Sequence, residues 1–159
     1  MTRRDHLLYM LKTNQHVIKR LLDDITEEES MVRGEGGLNH IRWLAGHLYG
    51  SDGYCFSLLG VKDDSTGQYS KIFGGGSVVS DDPTTYPSMA ELRDLLYKSH
   101  ERLFKIISDI SDNELEREIG EEKKQPVWQP LTFLAMHEFY HAGQIVQIRK
   151  MLGRERPFA

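Results

Sequence analysis

Apolar residues recur at alternating steps of three and four in four separate stretches of the chain, the spacing that turns one face of an α-helix inward. In the first stretch Leu7, Leu11, Val17 or Ile18, Leu21 and Ile25 form the stripe, and Asn14 interrupts it. The second runs from about Leu38 to Leu59 with Ile41, Leu44, Leu48, Cys55 and Leu58 on one face, and Asn39 stands where a capping side chain is wanted. The third opens at Ser88, which is followed three residues later by Glu91 in the pattern of a capping box, and carries Met89, Leu92, Leu96, Leu103, Ile106 and Ile110. The fourth begins at Pro130, suited to a first helical turn, and runs to Leu152, where Gly153 offers a stop. No stretch alternates as a strand should; the Val78–Val79 step in "GGGSVVSDD" would make at most an edge fragment.

Four helices of roughly 20 residues, each about 30 Å long, are the parts of an all-α four-helix bundle. The pattern predicts one domain over residues 1–159, with no repeat or linker. Between the second and third helices lies "VKDDSTGQYSKIFGGGSVVSDDPTTYP", rich in Gly, Asp, Ser and Thr. It is long enough to run back along the bundle and let those two helices lie parallel. The expected role is a surface crossover; the alternative is a lid over a pocket.

Composition narrows the picture little. Of 159 residues, 39% are apolar and 28% charged, ordinary for a soluble globular domain. A net charge of −4 with scattered Lys and Arg argues against nucleic acid as a partner. No apolar run approaches the roughly 18 residues that span a bilayer, and the start lacks the apolar core of a signal peptide. The single cysteine, Cys55, fits a reducing cytoplasm. The expectation is a cytoplasmic protein acting on a small molecule, with a homodimer left open.

Chemistry enters with "HEFYH", residues 137–141, in the spacing H-E-x-x-H of zinc metalloproteases. His137 and His141 fall on the stripe Leu134, His137, His141, Gln144, Ile148, Met151, which should face the core. A buried imidazole costs free energy unless partnered, and a metal ion is one partner that two such rings can share. The alternative is two core histidines, each bonded to its own side chain or carbonyl. A metal needs at least a third ligand, and the second helix offers His40 and His47, seven apart and nearly on one face. His40, in the first turn, is expected to be exposed. His47, among Leu44 and Leu48 near mid-bundle, is the better placed.

At these residues the chain resembles a family. "WLAGHLYGSD" on the second helix and "HEFYHAGQIVQIRKMLG" on the last are similar to segments of the DinB/YfiT-like superfamily of metal-binding four-helix bundles. The resemblance implies a divalent metal held by three histidines that map onto His47, His137 and His141, and a three-imidazole set suits Zn, Ni or Fe without choosing among them. Characterised members include thiol-dependent S-transferases and isomerases, so it also implies a low-molecular-weight thiol transferred to a small electrophile. Hydrolysis by metal-activated water and non-catalytic binding of a metal or small ligand are the alternatives.

The protease reading weakens, because the longer metzincin motif needs Gly and His where this chain has Gln144 and Gln147. The only later acid, Glu155, lies past the helix stop, and no sheet is available to align a peptide. Glu138, about 100° round the helix from His137, is left with a base or supporting role only if geometry allows. Gln144 and Asn14 could orient water or substrate, or simply bond within the core. Trp43, Tyr54 and Tyr140 could wall a pocket or pack as core. Cys55 has no neighbouring base and is expected to pack as a small hydrophobe. His6, His16 and His100, together with the acidic runs "DDITEEE" and "GEEKK", are expected to be solvated.

Overall fold

A computed structural model describes residues 1–155 apart from Leu38, Asp64 and Lys123, with Glu35 described in its backbone only. Four long helices carry the fold: α1 (Arg3–Leu22), α2 (Ile41–Leu58), α3 (Met89–Asp109) and α4 (Trp128–Met151). Thr2 caps α1 in a reciprocal box with Asp5, and Ser88 caps α3 by accepting from the Glu91 amide, as its spacing predicts. The α2 cap is His40, not Asn39: its Nδ1 accepts from the Trp43 amide at 3.0 Å. The expected start of α2 at Leu38 lies outside the described residues. Helix α4 starts two residues ahead of Pro130, and Gly153 beyond it takes the left-handed φ of 73° that ends a helix.

Cross-helix contacts give the chain directions. Asn14 reaches the Ala135 carbonyl, and Arg149 reaches the Leu21 carbonyl, so α1 and α4 run parallel. Arg4 bonds the Ile110 carbonyl while Arg93 bonds those of Leu22 and Ile25, so α1 and α3 are antiparallel. Arg42 pairs with Glu27, whose carboxylate also receives the Met89 amide, and the Arg102 guanidinium lies over the Phe56 ring, so α2 and α3 start and advance together. The parallel pair is what the long crossover predicts. α1 and α2 each pack between α3 and α4 and face one another across the diagonal.

Residues 61–87 do more than cross the surface. A helical turn at Ser70–Phe73 drops Phe73 onto α2, where it is buried, and Thr66 is buried nearby. An added Cβ would lie 2.3 Å from the Phe73 ring at Gly46 and 2.0 Å from Thr66 Oγ1 at Gly53. Both glycines are therefore needed for the crossover to lie this close. Val78 and Val79 form no strand. A minimal hairpin appears elsewhere, β1 (Glu118–Ile119) against β2 (Gln125–Pro126). Two-residue strands are too short to leave a periodic signal.

Two apolar clusters make the core. One gathers Ile18, Leu44, Leu48, Leu92, Leu96, Ile145 and Ile148, the other Leu7, Leu11, Cys55, Phe56, Leu103, Ile107, Leu131 and Ala135. Between them sits a buried polar layer with residues from each long helix: Asn14, Asp52, Ser99 and His100, and Glu138. The acidic run before α2 is also partnered: Asp24 binds Arg149 and Arg154, Glu29 binds Arg154, and Glu27 binds Arg42. The expectation that this run is merely solvated is thereby corrected. Among the described residues, no helix is long and apolar enough to cross a membrane.

Candidate metal centre

Helices α2 and α4 bring His47, His137 and His141 together, each offering one nitrogen within 4.8 Å of the others. The Nε2 of His137 stands 2.9 Å from that of His141 and 3.3 Å from that of His47. Two nitrogens bound to one tetrahedral ion at about 2.0–2.1 Å stand about 3.3 Å apart, so His137 stands at a ligand-like distance from each neighbour, and the three nitrogens together span no more than 4.8 Å.

Proton placement shows why these rings suit a cation. His47 Nδ1 lies 2.7 Å from the Phe73 carbonyl oxygen, and His141 Nδ1 lies 2.7 Å from Gln144 Oε1. Both partners are acceptors, so each Nδ1 carries a hydrogen, the tautomer that leaves the lone pair of an uncharged ring inward at Nε2. Gln144 is oriented in turn by donating to the Tyr140 hydroxyl at 3.1 Å. His137 can share one hydrogen with one of its two neighbours, which leaves the other facing it without a proton. Further protonation is opposed: burial, then the neighbouring His47, holds His137 below the usual imidazole range, and burial with both neighbouring rings takes His141 down to about 4. Neutral rings with converging lone pairs are what a divalent ion requires.

Local sequence explains the placement. Trp43, one turn before His47, stacks on its ring with centroids 4.8 Å apart and planes 9° from parallel. The Trp43 Nε1 donates to the Ile72 carbonyl at 2.8 Å, so the crossover fixes both Trp43 and, through Phe73, His47. His40 is fully buried, contrary to expectation, and is not a ligand. With Nδ1 accepting at the cap, its Nε2 donates to the Ser80 carbonyl at 3.1 Å and fastens the far end of the crossover.

The core stripe of α4 is also offset from the expected one. Leu131, Ala135, Glu138, Ala142, Ile145 and Ile148 face the bundle centre, while Leu134, His137 and Gln144 are only half-buried on its flank toward α2, and Met151 is exposed. Two alanines weaken the true stripe and a carboxyl sits in its middle, which hides it from an apolar count. Glu138 points away from the three histidines. Its Oε2 accepts from Asn14 Nδ2 at 2.6 Å, and its Oε1 lies 2.9 Å from His100 Nε2. Asn14 is therefore a core residue in this layer and not a neighbour of the histidines.

His100, expected to be solvated, is 2% exposed and 3.6 Å from Asp52. Burial alone would lower His100, but the two carboxyl groups hold it up to about 9. Burial raises Asp52 to about 7. The stripes contain the missed signal: Asn14 lies between Leu11 and Ile18, Asp52 between Leu48 and Cys55, and His100 between Leu96 and Leu103. Cys55 packs as expected, its thiol pushed up by burial. His6 and His16 are exposed.

A cavity of about 380 Å³ opens beside the cluster, lined by His47, His137, Leu134, Tyr54, Phe73 and the adjoining crossover. A second depression, on the outer face of α4, is lined by Phe133, Met136, His137 and Tyr140, so His137 borders both.

A four-helix bundle with three converging imidazoles from its second and last helices is the arrangement of a class of metal-binding bundle proteins. The family model of the DinB superfamily matches residues 10–145, and the chain belongs to that superfamily. No curated protein matches. Among solved structures, YfiT from Bacillus subtilis, described as a probable metal-dependent hydrolase with an unusual four-helix bundle topology, aligns with a TM-score of 0.64 and 16% identity. The alignment covers 96% of this chain and 89% of YfiT, a likeness of fold.

Proposed function

We propose that the protein is a divalent-metal-dependent enzyme in which His47, His137 and His141 hold the ion and a small electrophile is attacked beside it. The observation that carries this reading is the convergence of three Nε2 atoms, with two of the rings oriented by hydrogen bonds at Nδ1. Bound there, the ion supplies a Lewis acid able to bring water or a thiol to its deprotonated, nucleophilic form near neutral pH.

The chain's own residues do the rest. The Phe73 carbonyl and Gln144 fix two tautomers and ring planes, and so keep the lone pairs aimed at one point. Three protein ligands leave a position for the reacting group. Trp43 covers one side of the cluster, and the cavity between Tyr54, Leu134 and the crossover receives the substrate. Glu138 takes no part, because its carboxyl is engaged by Asn14 and His100.

A low-molecular-weight thiol is the nucleophile that the family resemblance favours, giving S-transfer. Water is the second reading, favoured by the structural likeness to a probable metal-dependent hydrolase. Turnover of an activated electrophile by metal-loaded protein, with and without added thiol, separates them. A rate that requires thiol supports transfer, a rate without it supports hydrolysis, and no rate with either on a fully loaded protein overturns the enzyme.

A further inference from the structure

Helix α2 carries glycine at positions 46, 50 and 53, at helical spacing on the face turned toward the crossover. Gly46 and Gly53 have steric reasons, the Phe73 ring and Thr66. Gly50 has none: a Cβ there would meet nothing within 4 Å, and its φ lies outside the left-handed region. A glycine inside a helix is destabilising relative to alanine, so packing within the protein does not account for it. The crossover is seated on α2 at both ends of this face and stands away from it between them. The gap is the cavity beside His47 and His137, and Gly50 forms part of its wall. Gly143 of α4 likewise meets nothing, but it is exposed and lines no part of this cavity.

The lining has a chemical bias. Among the described residues, no Asp, Glu, Lys or Arg borders the cavity; its side-chain polar groups besides the two histidines are the hydroxyls of Ser51, Thr66, Ser70 and the two tyrosines. An ionised substituent entering it would lose water without gaining a counter-charge from the walls. A space of 380 Å³ has ample room for an organic group of benzyl size.

We infer that this cavity takes an uncharged organic group of the substrate and that Gly50 sets the space available to it. The position of the reacting end beside an ion rests on the metal reading above; the cavity itself does not.

Cobalt(II)-loaded protein titrated with benzyl mercaptan, its 4-carboxylate analogue and 2-mercaptoethanol, read by cobalt–thiolate absorption, tests this. The parent should bind benzyl mercaptan at least tenfold more tightly than the carboxylate. Gly50→Leu should weaken benzyl mercaptan tenfold or more while leaving cobalt stoichiometry and 2-mercaptoethanol within twofold. Leucine is the better helix former and its Cβ meets nothing within 4 Å, so the helix should tolerate it, with circular dichroism as the check. Equal binding of the acid, or a Gly50→Leu variant that binds benzyl mercaptan as the parent does, overturns the inference. The same contrast in metal-free protein, read by NMR line broadening of benzyl alcohol and benzoate, addresses the cavity alone. Should the parent take up no cobalt, the metal reading falls. The inference then stands if benzyl alcohol binds selectively and Gly50→Leu abolishes it, and falls if it does not.

Discussion

Gln144 shows how much one side chain can set. By accepting from His141 Nδ1 it forces the lone pair to Nε2, and the Tyr140 hydroxyl keeps its amide the right way round. Gln144→Leu should keep the fold and weaken metal binding by about 10–100-fold, measured by chelator competition. An unchanged affinity would mean that the tautomer is set some other way. Glu138 makes the opposite case. Glu138→Ala strips His100 and Asn14 of their partner in the core and should cost about 3–5 kcal/mol in a urea melt. Glu138→Gln should retain full metal content and turnover, since this side chain faces away from the reacting groups. A hundredfold loss of rate in a loaded Glu138→Gln protein would instead make it a base.

Between elements, the decisive contact is the crossover on α2. Gly46 admits the Phe73 ring, and that seat brings the Phe73 carbonyl to His47. Gly46→Ala gains about 1 kcal/mol of helix propensity. Against that, the clash should cost about 1–3 kcal/mol. The expected outcome is a net loss in unfolding free energy together with weaker metal binding, because His47 loses its acceptor. A variant of parental affinity would show that the crossover does not position the ligand. The helices themselves were legible in the sequence, as was the parallel run of α2 and α3, because heptad-like stripes, a Ser cap and a long connection are local signals. The seat of the crossover was not: it depends on two glycines whose meaning appears only when Phe73 and Thr66 arrive from far along the chain. His40 misled for a related reason, since a first-turn histidine looks exposed until Ser80 covers it.

For the whole molecule, the polar layer couples all four helices to pH. Asp52 and His100 are both raised in the folded protein, to about 7 and about 9. Each therefore holds a proton that the unfolded chain releases at lower pH, so stability falls as pH rises, for Asp52 from the ordinary carboxyl range up to 7 and for His100 from about 6.5 up to 9. Metal-free protein should melt at a lower temperature at pH 9.5 than at pH 6.5, with a smaller drop in His100→Gln. A flat profile would show that the layer does not hold these protons. His137 and His141, both lowered, act in the opposite sense and mainly below the ordinary imidazole value of about 6.5, so they lie outside the comparison of pH 6.5 with pH 9.5. This layer leaves no local signal, because a single polar residue in an apolar stripe, such as Asn14 or His100, looks the same whether it is solvated or partnered. Only the assembled bundle shows that Asn14, Asp52, His100 and Glu138 share one level. The histidine cluster was readable for the converse reason: two imidazoles one turn apart already restrict where a third can stand.

The central claim is that α2 and α4 share one divalent ion. Elemental analysis of untagged protein beside His47→Ala and His137→Ala tests it most directly. One equivalent is expected in the parent and less than a tenth in either variant, with all three folded by circular dichroism. A parent that stays empty after reconstitution with zinc, nickel and iron(II), or a His47→Ala protein that still holds a full equivalent, would contradict it.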